Sequence, residues 1–198
     1  MRSRKTSKPV LNQVRISGGE WRSRLLRFPD APGLRPTPDR VRQTVFNWLG
    51  QDLHGLHCLD LFAGTGAMGF EALSRGAQSL VLVEKSALAY KALIENQQSL
   101  QADKAKLFNT DALVFLAQNQ QLFDILFIDP PYNQGWLDKL LPAIASHVAP
   151  HGLLYVEAEF ALTDLPKWQI LKYGKAGNVY YHLLKFRHDQ DSHLSGDV

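Results

Sequence analysis

Apolar positions along this chain follow two rhythms. Short continuous runs occur at 57–62, Ser79–Val83, 106–108, Phe123–Ile128 and 152–157. Runs of that length, bounded by turn residues and rich in β-branched and aromatic side chains, predict strands buried on both faces of a parallel sheet. Between them the spacing is helical. Val41, Val45, Trp48 and Leu49 make one stripe ended by Gly50, Trp136, Leu140, Leu141 and Ile144 make another, and 70–75 is helical in character up to Gly76. Before the first stripe, Thr37 can cap, Pro38 suits the first helical position and Asp39 lies in the first turn. Strands alternating with helices predict an α/β, Rossmann-like, doubly wound sheet. Near the end the rhythm changes: 168–173 and Val179–Phe186 are both strand-like, joined by 174–178, which predicts an antiparallel hairpin. At the other end two runs flank Ser17-Gly18-Gly19, predicting a small N-terminal β-hairpin over 14–28.

The candidate chemistry sits where the predicted strands end. Asp129-Pro130-Pro131-Tyr132 directly follows Phe123–Ile128, at the carboxyl edge where open α/β sheets bind ligands. Two prolines stiffen the turn and remove two backbone donors, leaving carbonyls that only accept. Acceptors beside an aromatic ring suit a planar amine held flat, which is what an amine methyltransferase needs. About seventy residues earlier, Asp60-Leu-Phe62-Ala-Gly64-Thr-Gly66-Ala-Met-Gly69 ends another strand and opens a helix. Its glycines match G-x-G-x-x-G, so a nicotinamide dehydrogenase must be weighed. Glu84 closes the next strand, twenty residues after Gly64, and can accept from both ribose hydroxyls of NAD or of a sulfonium cofactor. Asp111, followed by Ala112, could accept from an adenine amino group, and any one of these acids could instead be a helix cap. Dehydrogenation would leave the Pro-Pro-Tyr loop without a role.

Charge distribution adds a partner. Residues 1–42 hold eleven Lys/Arg against three acids, a net of +8, whereas the remainder holds eleven against sixteen, a net of −5. Such asymmetry predicts an arm for a polyanion, with Arg15, Arg22 and Arg24 on the hairpin and Arg40 and Arg42 off the first helical stripe as candidate phosphate contacts. Trp21 reads as a packing residue before a base-stacking one, and 1–9 as a solvated tail. One cysteine, Cys58, excludes an internal disulfide and points to the cytosol. No apolar run approaches a membrane span, and no signal-peptide core follows the basic start. His54, His57 and Cys58 match no zinc spacing, so no metal is expected.

These stretches together resemble the RsmD family of class I S-adenosylmethionine-dependent methyltransferases. The segments that carry the resemblance are 15–22, 35–42, 60–66, 71–76 and 129–132, spread over nearly the whole chain. Thr65 stands where the family often has Ser. The resemblance implies methyl transfer to the exocyclic N2 of a guanine in small-subunit (16S) ribosomal RNA, and a terminal hairpin on the sheet. It implies that Asp129, Pro130, Pro131 and Tyr132 are catalytic, and that Asp60, Phe62, Gly64, Gly66, Glu84, Asp111 and Ala112 hold S-adenosylmethionine. It further implies that the Arg35-Pro36-Thr37 segment closes over the cofactor. The expected organisation is a basic arm and hairpin over 1–34, a methyltransferase domain over 35–187 and a flexible tail over 188–198, in a monomer that meets its RNA within an assembling subunit. Alternatives from the same motifs are adenine-N6 methylation of DNA or RNA, methylation of a protein glutamine, and a non-catalytic RNA-binding module.

Overall fold

Nine strands divide into two sheets in a computed structural model that describes residues 11–31 and 34–187. The expected tails at 1–9 and 188–198 lie outside the described residues. β1 (Leu11–Arg15) and β2 (Leu25–Pro29) pair antiparallel, Arg15 opposite Leu25. The large sheet contains β3 (His57–Asp60), β4 (Ser79–Val83), β5 (Ala105–Phe108), β6 (Phe123–Ile128), β7 (Val148–Ala158), β8 (Trp168–Ala176) and β9 (Val179–Phe186), in the order β5-β4-β3-β6-β7-β9-β8. β5 through β7 run parallel, while β9 is antiparallel to both β7 and β8. The chain reverses its direction of winding between β3 and β6, which opens a crevice at their carboxyl ends.

Helices cover both faces because each central strand alternates apolar side chains up and down. Cys58, Leu80, Leu82, Ile125 and Phe127 face one core, shared with α1 (Asp39–Leu49), α2 (Ala67–Ser74) and α3 (Ala87–Leu100). Leu59, Val81, Leu126 and Ile128 face the other, shared with α4 (Ala112–Gln118) and α5 (Trp136–Ile144). The small hairpin joins the first core through Val14, Ile16, Leu26 and Phe28, packed on the helices α2 and α3 that cover this face of the sheet. Trp21 packs against that core too. Among the described residues, no helix is long and apolar enough to cross a membrane.

Four local expectations change. Thr37 does not cap α1: Pro38 occupies the cap with no side-chain bond, and the Thr37 hydroxyl instead donates to Glu157 at 3.1 Å. The hairpin connection spans residues 16–24, since Ser17 and Gly19 are anchored to α2 rather than folded into a tight turn. Ser17 donates through N–H and hydroxyl to the two oxygens of Glu71, at 2.7 and 2.8 Å, and a Cβ on Gly19 would lie 1.9 Å from the Ser74 carbonyl oxygen. β7 begins at Val148, four residues before the expected start, with a register shift against β6. β8 continues through Gly174, which sits opposite Tyr181, where a Cβ would meet the ring at 2.3 Å. That glycine marks a close approach, and the turn is confined to Gly177 and Asn178.

Candidate active site

The glycine loop connects β3 to α2 by two left-handed residues, Gly64 (φ +50°) and Gly66 (φ +77°), conformations that side chains disfavour. Gly69 lies inside α2 for a packing reason, since a Cβ there would sit 2.5 Å from Leu82. Two carboxylates brace this loop. Asp60 lies beneath it, accepting from the Gly69 N–H at 3.1 Å, and Glu84 accepts from the Gly64 N–H at 2.8 Å and the Ser86 N–H at 2.6 Å. Burial pushes the Asp60 carboxyl up to about 7; Glu84 and Glu157 add to the rise, and the Gly69 bond opposes it.

Asp111 caps α4, accepting from the Leu113 N–H at 3.0 Å, and pairs with Lys85 at 3.1 Å. Partial burial works against ionisation there, but Lys85 and the backbone donors outweigh it and hold the carboxyl low. Ala112 is buried, and Phe62 is half-buried with its ring edge-to-face on Trp136 at 5.5 Å.

Across the crevice, β6 ends in Asp129-Pro130-Pro131-Tyr132. Pro130 is buried, Pro131 exposed and Tyr132 37% exposed, on the wall of a cleft shared with Trp136, Glu157, Glu159 and Phe160. Glu157 and Glu159 are not among the residues the sequence points to, because their role depends on β7 lying next to β6, which only the sheet order reveals. Ile128 opposite Val156 is the last paired position of β6 and β7; Asp129 and Glu157 each follow it in the chain, and Glu157 is near enough to raise the Asp129 carboxyl. Glu157 Oε1 accepts from the hydroxyls of Tyr155 at 2.8 Å and Thr37 at 3.1 Å. Both oxygens of Glu159 accept from the Asn133 N–H, at 2.9 and 3.1 Å. Burial drives the Asp129 carboxyl well above the usual carboxylate range, reinforced by Glu157 and then Asp60. Burial also raises Glu157, against the two hydroxyl donors.

The arginines separate into two groups. Arg15, Arg22, Arg24 and Arg40 are exposed. Arg42 is not an RNA-facing residue: it is 1% exposed and donates to the carbonyls of Thr37 and Arg15, at 3.2 and 2.6 Å, and to Asp39 at 2.9 Å. It lies off the apolar stripe because it is buried by hydrogen bonds, which periodicity does not register.

The acceptor set fits S-adenosylmethionine. Carboxylates converge on the crevice from the ends of β3, β4 and β6 and from the cap of α4, matching a cationic sulfur, ribose hydroxyls and an adenine amine, and the left-handed Gly64 lets the backbone approach closely. Sheet, crevice and strand-end acids define a class I S-adenosylmethionine-dependent methyltransferase. The model of the family described as Conserved hypothetical protein 95 matches residues 14–185, and the chain belongs to this, the RsmD, family. It is 43% identical over 176 residues to the Ribosomal RNA small subunit methyltransferase D of Escherichia coli K12, covering 86% of this chain and 89% of that one. The Haemophilus influenzae protein of the same name is 39% identical, with 86% and 93% covered. Among solved structures, Escherichia coli yhhF superposes with a TM-score of 0.80 at 41% identity, covering 88% of this chain and 98% of that one.

Proposed function

We propose that this enzyme transfers a methyl group to the exocyclic N2 of a guanine in small-subunit ribosomal RNA, acting as a cytoplasmic monomer on RNA within an assembling subunit. The observation that carries the reading is Asp129-Pro130-Pro131-Tyr132 at the crevice, on a chain 43% identical to a methyltransferase named for that RNA. S-adenosylmethionine supplies an electrophilic methyl on a positively charged sulfur.

This chain's residues position the nucleophile. Guanine N2 is weakly nucleophilic because its lone pair is delocalised into the ring. Asp129 Oδ and the Pro130 carbonyl, accepting its two hydrogens, favour pyramidal nitrogen and free that lone pair to take the methyl as the carbon–sulfur bond breaks; the methylated nitrogen then sheds one of those hydrogens as a proton to water. Tyr132 stacks the base, an interaction worth about 1–3 kcal/mol in nucleic-acid binders. In-line alignment lowers such barriers by roughly 7–11 kcal/mol in favourable cases. The target base must leave its stack to reach the cleft. Phe62, Gly64, Gly66, Glu84, Asp111 and Ala112 would hold the cofactor, with Asp60 bracing the loop and the Arg35-to-Thr37 segment beside it. The exposed arginines of the hairpin, with Arg40, meet the phosphates.

The test is to incubate the protein with isotope-labelled S-adenosylmethionine and either small-subunit RNA or assembling subunits, then digest and identify the product. N2-methylguanosine at one mapped position is expected. N6-methyladenosine or a methylated glutamine would reject the target.

A further inference from the structure

The motif of Asp129 to Tyr132 can hold an adenine N6 as well as a guanine N2, so it does not choose between them. The two bases differ at the neighbouring ring atom. Guanine N1 carries a hydrogen and donates, while adenine N1 is a bare acceptor. A site selective for guanine therefore needs a second acceptor beside the one that takes the amine.

Glu157 has the properties of that acceptor. Asp129 and Glu157 each directly follow the last paired position of β6 and β7, Ile128 opposite Val156, which makes them neighbours at the carboxyl ends of adjacent strands, and the charge of Glu157 is felt at Asp129. Glu157 lines the cleft with Tyr132, Pro130 and Pro131. Its residue is only 3% exposed, and Oε1 is fixed by the Tyr155 and Thr37 hydroxyls. Oε2 accepts no hydrogen bond among the described residues. Both hydroxyls donate, so they orient the group and favour its carboxylate form against the burial that raises it. Glu159, just past the end of β7, is excluded from the role because the Asn133 N–H engages both of its oxygens.

We propose that Glu157 selects guanine, its Oε2 accepting the N1–H of the base whose N2 amine Asp129 orients. This rests on the guanine-N2 reading above and supplies the discrimination that Asp129 lacks. An adenine placed in the same way would set its N1 lone pair against a buried carboxylate, a repulsive pairing that rejects the wrong base. Tyr155 and Thr37 act through Glu157 as positioning residues.

The test uses 2,6-diaminopurine, which keeps the exocyclic 2-amine but has an acceptor at N1. Synthetic RNA spanning the mapped target, with either guanine or diaminopurine at that position, is methylated under single-turnover conditions by the full chain. Wild type should prefer guanine by roughly tenfold to a hundredfold, the discrimination expected of a directed base contact. Glu157→Gln keeps the shape but presents an N–H donor, so the preference should collapse or invert as guanine slows and diaminopurine gains. Tyr155→Phe should lower the same ratio by less, and S-adenosylhomocysteine should still stabilise both variants. Equal wild-type rates on the two bases would overturn the proposal, as would a Glu157→Gln variant that slows both equally and keeps the ratio. Absence of N2-methylguanosine from the wild-type guanine arm would remove the underlying reading itself, and this assignment with it.

Discussion

The two halves of the crevice treat their acids differently. On the glycine-loop side, Asp60, Glu84 and Asp111 each accept from backbone N–H groups, and Asp111 has Lys85 as a partner. On the β6–β7 side, Glu157 is held by two hydroxyls, and Asp129 feels the negative charges of Glu157 and Asp60 in a buried setting. The first half is braced by the fold before any ligand arrives. The second half concentrates acceptors whose natural partners are the hydrogens of an amine and a nearby positive charge. On the proposed assignment, a preorganised cofactor side and an under-neutralised base side make methyl transfer dependent on both molecules being present.

The largest effect should come from cutting each half separately. Asp129→Ala should lower the single-turnover rate by about 10²–10³, comparable to losing one oriented donor or acceptor at a reacting centre. Stabilisation by S-adenosylhomocysteine should persist in that variant. Glu84→Ala should do the reverse at the binding step, because Glu84 supports both Gly64 and Ser86. Ligand at a hundred times Kd stabilises the folded state by about 2.7 kcal/mol, visible as a rise in Tm, and this rise should vanish. Loss of ligand stabilisation in Asp129→Ala would show that the two halves are not separable.

Protonation sharpens the comparison. Asp60 is raised from an ordinary 3.8 to about 7 in the folded protein, chiefly by burial. At low pH both folded and unfolded chains are protonated there, and its contribution to stability is neutral. As pH climbs from about 4 the unfolded chain releases the proton first, so stability falls until about pH 7 and is level above. The slope is at most about 1.4 kcal/mol per pH unit for one proton. Asp60→Asn keeps an acceptor for the Gly69 N–H and should flatten the descent in urea melts of ligand-free protein between pH 5 and 8. An unchanged pH profile would mean that Asp60 ionises normally.

Most of the architecture was legible in the sequence, and the exceptions have specific causes. Ser79–Val83 and Phe123–Ile128 have the predicted bounds, because fully buried strands leave uninterrupted apolar runs. Gly174 reads as a turn residue, yet its reason for being glycine is the Tyr181 ring across the hairpin, a tertiary contact no local pattern carries. Arg42 and Thr37 fail for a related reason: each looks like a surface or cap residue by position and is drawn inward by partners distant in sequence, Arg15 and Glu157. Glu157 was invisible because its meaning depends on lying beside Asp129, which only sheet order reveals.

The smallest effects should separate two kinds of arginine. Arg42→Ala removes the donors to the carbonyls of buried Thr37 and of Arg15 and to Asp39, and should cost about 1–3 kcal/mol in a denaturation midpoint. Arg15, Arg22 and Arg24 are exposed; Arg15 and Arg24 donate to the carbonyls of Ser23 and Ser99 at 2.8 and 2.6 Å. Changing all three to Ala should therefore leave the core largely intact while weakening RNA capture. For every phosphate that an arginine no longer neutralises, the slope of log affinity against log salt should shrink by roughly 0.7–0.9. Affinity for S-adenosylmethionine should stay the same, since the arm meets α2 and α3 rather than the strand-end acids. Filter binding across a salt series, with cofactor titration in parallel, reads both quantities. An unchanged salt slope would move the RNA surface off the hairpin, while a shifted cofactor affinity would show that the arm, docked through Ser17 and Glu71 onto the helix that follows the glycine loop, belongs to the cofactor half.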